Sequence, residues 1–121
     1  MTEQPDELRR RGLERMAEVY GFEFQDGEGD FWRYTADHLF ADIWNRPGLS
    51  TRDRRLMLIG LLAATGTLDV LGMQIPAARQ NGELDDDELR EIVIFLSHYV
   101  GWPTGAKLNT LVEQTIAKGP R

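Results

Sequence analysis

Apolar positions recur along most of the chain at intervals of three and four residues, the spacing at which side chains share one face of an α-helix. Leu13, Met16, Ala17 and Tyr20 form the first such face, after Pro5 and a polar first turn, and Gly21 is expected to close the helix. The stretch from Gln25 to Asp30 (QDGEGD) has turn composition. Asp30 is placed to cap a second helix with the stripe Trp32, Ala36, Leu39 and Ile43, stopped by Asn45, Arg46, Pro47 and Gly48. Ser50 or Thr51 caps a third helix, and its run from Leu56 to Ala64 is apolar nearly all round, as in a helix buried among neighbours or subunits.

Gly66 ends that run, and Thr67 to Gln80 reads as a fourth helix with two faults, Gly72 and Pro76. A proline in a helix interior costs about 3 kcal/mol, so a kink or a restart is expected at Pro76. Asn81 and Gly82 form a stop, and Asp85 with Glu88 has the D-x-x-E spacing of a capping box. A fifth helix follows with the face Leu89, Ile92, Val93, Leu96 and Val100, up to Gly101. Pro103 suits the first turn of a sixth, whose stripe is Leu108, Leu111, Val112, Thr115 and Ile116. No strand pattern, repeat or linker competes with this all-α reading, so a single domain is expected with its core over about residues 8–117 and disorder only at the ends.

Charge and composition narrow the chemistry. A chain of 121 residues with 41% hydrophobic positions supports an ordinary core. Its formal charge of −6 repels a phosphate backbone, which argues against nucleic acid as a partner. Arg9, Arg10 and Arg11 stand between Glu7 and Glu14 and read as a solvated helix face. No apolar run reaches the roughly 18 residues that span a bilayer, and the acidic start is unlike a signal peptide, so no membrane association and a cytoplasmic location are expected. Cysteine is absent, which removes disulfides, thiolate nucleophiles and sulfur-ligated metals. The two histidines, His38 and His98, are sixty residues apart and in no metal-binding spacing, so no metal site is expected.

Three segments together resemble the carboxymuconolactone decarboxylase family: WNRPGL at 44–49, RLMLIGLLAA at 55–64 and HYVGWP at 98–103. Asn81–Gly82 and the ELRE of 88–91 fall between them in the family's order. The resemblance implies a six-helix, alkylhydroperoxidase D-like orthogonal bundle that assembles as a homo-oligomer, a trimer or a hexamer. It implies a carboxy-lyase acting on a small carboxylate or lactone with no cofactor. The peroxidase branch of that superfamily uses a CxxC pair, so peroxidase activity survives here only as a family label. Two positions depart from the family pattern: the usual histidine of the fourth helix is Gln74, and the usual Arg-Ser before the long apolar helix is Arg54–Arg55. A catalytically drifted binding protein is therefore the alternative to an enzyme.

The candidate site residues follow from what decarboxylation needs: a held carboxylate, donors for a developing oxyanion and a proton for carbon. His98 is the candidate catalytic residue because imidazole titrates near neutrality, against the reading of a structural helix-end histidine. Arg46 and Arg55 match a planar carboxylate, against pairing with Asp42, Asp53 or a neighbouring subunit. Gln74 has an amide to donate to a carbonyl oxygen, or simply lines a pocket. Trp44, Tyr99 and Trp102 are candidate pocket walls, against ordinary core packing. His38, between Asp37 and Leu39, reads as a surface or interface residue.

Overall fold

In a computed structural model, residues 5–120 are described, and the ends expected to be disordered lie outside them. Every regular element among the described residues is helical, with no strand, as the all-α reading requires: α1 (Pro5–Tyr20), α2 (Asp30–Arg33) continued by a π-helical segment (Tyr34–Phe40) and a 3-10 turn (Ile43–Asn45), α3 (Thr51–Ala64), α4 (Leu68–Gln80), α5 (Asp86–Val100) and α6 (Trp102–Ala117). They form two compact units, divided between Ser50 and Thr51. No helix among the described residues is long and apolar enough to cross a membrane.

In the first unit α1 packs on the π-helical segment. Gly12 marks the closest approach, because a Cβ built there would lie 1.9 Å from the Ala36 carbonyl oxygen. Met16, Val19, Ala36, Phe40, Ala41 and Trp44 are buried. This corrects the stripe expected for the second helix, since Leu39 and Ile43 are exposed and Trp32 only half-buried. The physical reason is the change of helical period: Ala41 N–H donates to the Ala36 carbonyl five residues back, which widens the turn and brings Ala36, Phe40 and Trp44 onto one face. The cap is also corrected, for Gly29 at φ 99° occupies the capping position and Asp30 is the first helical residue.

The basic run is neutralised locally, as a solvated face would be. Arg9 bridges Asp37 and Asp26, Arg10 pairs with Glu14 at 2.7 Å, and Arg11 Nε donates to the Ala41 carbonyl. Asp26 also accepts from Trp32 Nε1 at 2.9 Å, and these donors, the indole foremost, hold its carboxyl below the usual carboxylate range.

The second unit is built on Ile59, Ala63, Leu71, Ile75, Ala78, Leu84, Leu89, Val93, Leu108 and Val112. Helix α4 runs unbroken through Pro76, so the expected restart does not occur. Leu71 and Ile75 are each wholly buried, and at about 1.5–3 kcal/mol apiece they outweigh the lost helical hydrogen bond. The capping box of α5 is present: Asp85 accepts from Glu88 N–H at 2.8 Å and Glu88 from Asp85 N–H at 3.0 Å. Helices α5 and α6 meet at Gly105, where a Cβ would fall 2.0 Å from Ser97 Oγ. Within this single chain Arg55, Ile59 and Ala63 form the buried line of α3, while Met57 and Leu61 are more than half exposed.

Candidate active site

The buried line of α3 has a charge at its head. Positions 55, 59 and 63 repeat every four residues, so Arg55 stands on the same face as Ile59 and Ala63, and it is 0% exposed. An ionised group is tolerated there only if its donors are satisfied. Nε and Nη2 donate to the two carboxylate oxygens of Glu83, at 2.8 and 3.1 Å, and Nη1 donates to Gln74 Oε1 at 2.5 Å.

Each partner is delivered by its local structure. Gln74 lies in mid-α4, one residue before the buried Ile75. Glu83 follows the end of α4, where Gly82 at φ 74° allows Gly82 N–H to bond the Arg79 carbonyl and Glu83 N–H the Ala78 carbonyl. That pair of bonds is a Schellman ending, a turn that glycine reaches without strain. Leu84, fully buried, anchors the turn. Glu83 is thereby held with only 9% of its side chain exposed, and it also accepts from Asn81 Nδ2 at 3.1 Å.

The structure thus brings together two of the seven sequence candidates, Arg55 and Gln74, and adds Glu83. Sequence reasoning had paired Arg55 with Asp53, Asp42 or another subunit. The acceptor 28 residues away was missed, because Asn81–Gly82 signals only a helix stop and a single acidic residue beyond it has no periodicity.

His98, Tyr99 and Trp102 gather elsewhere in the second unit, at the junction of α5 and α6. His98 is exposed, with Nδ1 2.7 Å from the Ile94 carbonyl oxygen. A carbonyl only accepts, so Nδ1 carries the proton of the neutral ring and Nε2 offers its lone pair. The Trp102 ring stands edge-on to this imidazole at 5.7 Å, and Tyr99 packs on Phe95 at 5.2 Å. At 77% and 65% exposure, Tyr99 and Trp102 are surface side chains rather than core.

Trp44 and Arg46 belong to the first unit. Trp44 is buried, its ring stacked on Phe40 at 5.9 Å with Arg15 over it at 6.0 Å. Arg46 is exposed and lines an open cleft of about 480 Å³ with Arg11, Arg15, Asp42 and Asn45. His38 is exposed, 3.8 Å from Asp42. Among the described residues no three His, Asp or Glu side chains group as a metal cage.

Chemically, the interior trio offers a fixed guanidinium–carboxylate pair and an oriented amide in an apolar surround. The α5–α6 junction offers an exposed imidazole that can give or take a proton. These features were compared with known proteins. A sequence model described as the carboxymuconolactone decarboxylase family matches residues 29–114. A 4-carboxymuconolactone decarboxylase of Acinetobacter baylyi is 32% identical over 120 residues, covering 92% of this chain and 89% of that protein. A nitrosuccinic acid decarboxylase of Metarhizium robertsii is 28% identical over 123 residues, covering 92% of this chain and 85% of that protein. The helical fold, the matched span and the decarboxylase relatives agree, and the chain belongs to the carboxymuconolactone decarboxylase family.

Proposed function

We propose that this protein decarboxylates a small carboxylate, a carboxylated lactone or a related acid, without a cofactor. What carries the reading is its similarity, over 92% of its length, to two decarboxylases of small acids. In such a reaction the bond from carbon to the carboxylate breaks, carbon dioxide leaves, and the electron pair passes into a conjugated acceptor such as a lactone carbonyl. The resulting anion takes a proton at carbon. The substrate itself supplies the electron sink, so the protein's tasks are to bind, to stabilise the oxyanion and to move one proton.

Within the second unit His98 is the proposed proton carrier, its neutral Nε2 lone pair open to protonation. Gln74 is the proposed donor to a substrate oxygen. Arg55 serves a substrate carboxylate only with the donors that Glu83 and Gln74 leave unused, so its proposed part is to organise the interior. Tyr99 and Trp102 supply aromatic surface beside His98, whereas Trp44 and Arg46 belong to the first unit and take no part in this proposal. Assembly of copies belongs to the same proposal. It is supported by Met57, Leu61, Ile94 and Phe95, each more than half exposed although large and apolar. Sedimentation of the purified protein as a monomer would remove that part.

Carbon dioxide release from 4-carboxymuconolactone and from nitrosuccinate by purified protein is the test. Turnover of either, abolished or lowered at least tenfold in His98→Ala, is the expected result. Undiminished turnover in His98→Ala would take the proton step away from His98. Binding of these acids without any turnover would favour the second reading, a binding protein, which Gln74 supports because an amide does not titrate.

A further inference from the structure

The exposed face that runs along α5 into α6 has a symmetrical order. Asp87, Glu91, Ile94, Phe95, His98 and Trp102 are all exposed, and the steps between them along the chain are four, three, one, three and four residues. Steps of three and four keep residues on one side of a helix, and the Trp102 ring joins that side, edge-on to the His98 imidazole. The steps read the same from either end, and the chemistry is complementary about the middle. Two acids precede the apolar pair Ile94 and Phe95; an imidazole and an indole N–H follow it. Nearby Asp86, Glu88 and Glu113 are held by Arg79, Arg52 and Arg90, whereas Glu91 has no cation partner among the described residues. In His98 the nitrogen at the Ile94 carbonyl is Nδ1, which leaves Nε2 open.

We propose that this face docks a second copy of the chain, α5 against α5 in antiparallel orientation about a two-fold axis that passes between Ile94 and Phe95, so that Glu91 of each copy binds His98 of the other. A two-fold contact requires a surface that complements itself, and here each acid of one copy is set against a donor of the other. Glu91, three residues before Ile94, meets the partner subunit's His98, three residues after Phe95. At 1.5 Å of rise per residue this pair lies about 5 Å along the helix from the axis, within reach at any common crossing angle. Asp87 and Trp102 lie about 11 Å out and meet only where the helices cross at about 20°. Between and beside them the rings of Phe95, Tyr99 and Trp102, each more than half exposed, can supply roughly 300–500 Å² of the about 800 Å² per partner in a standard interface. The proposal rests on the assembly part of the reading above and adds the face, its symmetry and a carboxylate from the partner that favours the protonated form of His98. Of the charges on the helices packed against α5, α3 has none after Arg55 and Lys107 lies in the second turn of α6. An imidazole gains its charge below about pH 6.5, so association should strengthen from pH 8 to pH 6.

The test is sedimentation velocity of the full chain over a concentration series at both pH values. The expected result is an assembly with an even number of copies, its affinity at least threefold higher at pH 6, with that rise absent in Glu91→Gln. Glu91→Lys and His98→Glu should each weaken association at least tenfold by setting like charges together, and the double variant should return it to within about threefold of the parent. Both positions are exposed, so these changes leave the core of the second unit untouched. Single variants that associate as the parent does, a double variant no better than either single one, or a three-copy assembly, which has no two-fold axis, would overturn the proposal and leave assembly through another face. A monomer at every concentration would remove the proposal and assembly together, while decarboxylation stands or falls on its own assay.

Discussion

Removing Glu83 should be far more damaging than its place in a turn suggests. In Glu83→Ala the Arg55 guanidinium stays in the interior with two of its three bound donors stranded. Breaking one side of a buried pair costs about 3–5 kcal/mol. That is a large part of the roughly 5–15 kcal/mol that holds an ordinary domain, and for a chain of this size it should lower Tm on the order of 10–20 °C. The pair as a whole need not stabilise anything, because its attraction is set against the desolvation of both charges. Replacing both, as Arg55→Met with Glu83→Met, removes the charges but leaves Gln74 Oε1 without a donor, at about 1–3 kcal/mol. Adding Gln74→Leu removes that orphan as well and should return stability to within about 1.5 kcal/mol of the parent. Urea unfolding at pH 7, followed by far-UV circular dichroism, measures all four proteins. A cost below about 1 kcal/mol for Glu83→Ala, or a triple variant as unstable as the single one, would refute the reasoning.

Three further outcomes are expected. Gly12→Ala should destabilise by more than the roughly 1 kcal/mol that alanine gains in helix propensity, since the obstacle is the Ala36 backbone carbonyl and not a movable side chain; a higher Tm would contradict the packing. Asp85→Ala should cost about 1 kcal/mol by removing the acceptor for Glu88 N–H, read by chemical denaturation. The Glu88 carboxyl is held below its ordinary range by the Asp85 backbone N–H first and Arg52 second. Its stabilising contribution is therefore present above the unfolded carboxylate pKa and is lost as pH falls through the lowered native value; an acid-unfolding curve unchanged in Glu88→Ala would count against it.

The parts legible in the sequence are those governed by local rules. The capping box at Asp85, the close of α1 at Gly21 and the start of α6 beside Pro103 depend on residues a few positions apart, and each was found where expected. The second helix was misread because amphipathic periodicity assumes one angle per residue, and a π-helical turn changes that angle partway along. The restart expected at Pro76 is absent for a different reason, since local propensity is silent about the burial of Leu71 and Ile75 just before it. Of the site, the residue types were visible but their company was not. Arg55 and Gln74 are nineteen positions apart and Glu83 a further nine, and only the folding of α4 back along α3 brings them into contact.

That contact joins two positions, Arg55 and Gln74, that the sequence keeps nineteen residues apart. In space they are one hydrogen-bonded unit. An arginine introduced alone at position 55 would bury a charge at a cost of several kcal/mol, and Glu83 supplies the compensating carboxylate. A neutral imidazole at position 74 offers one acceptor and one donor, whereas a protonated one beside a buried guanidinium would set like charges together. Glutamine meets the guanidinium with an oxygen at every pH. The interior of the second unit thus holds a fixed dipole, not a titrating group, against the Arg55 guanidinium.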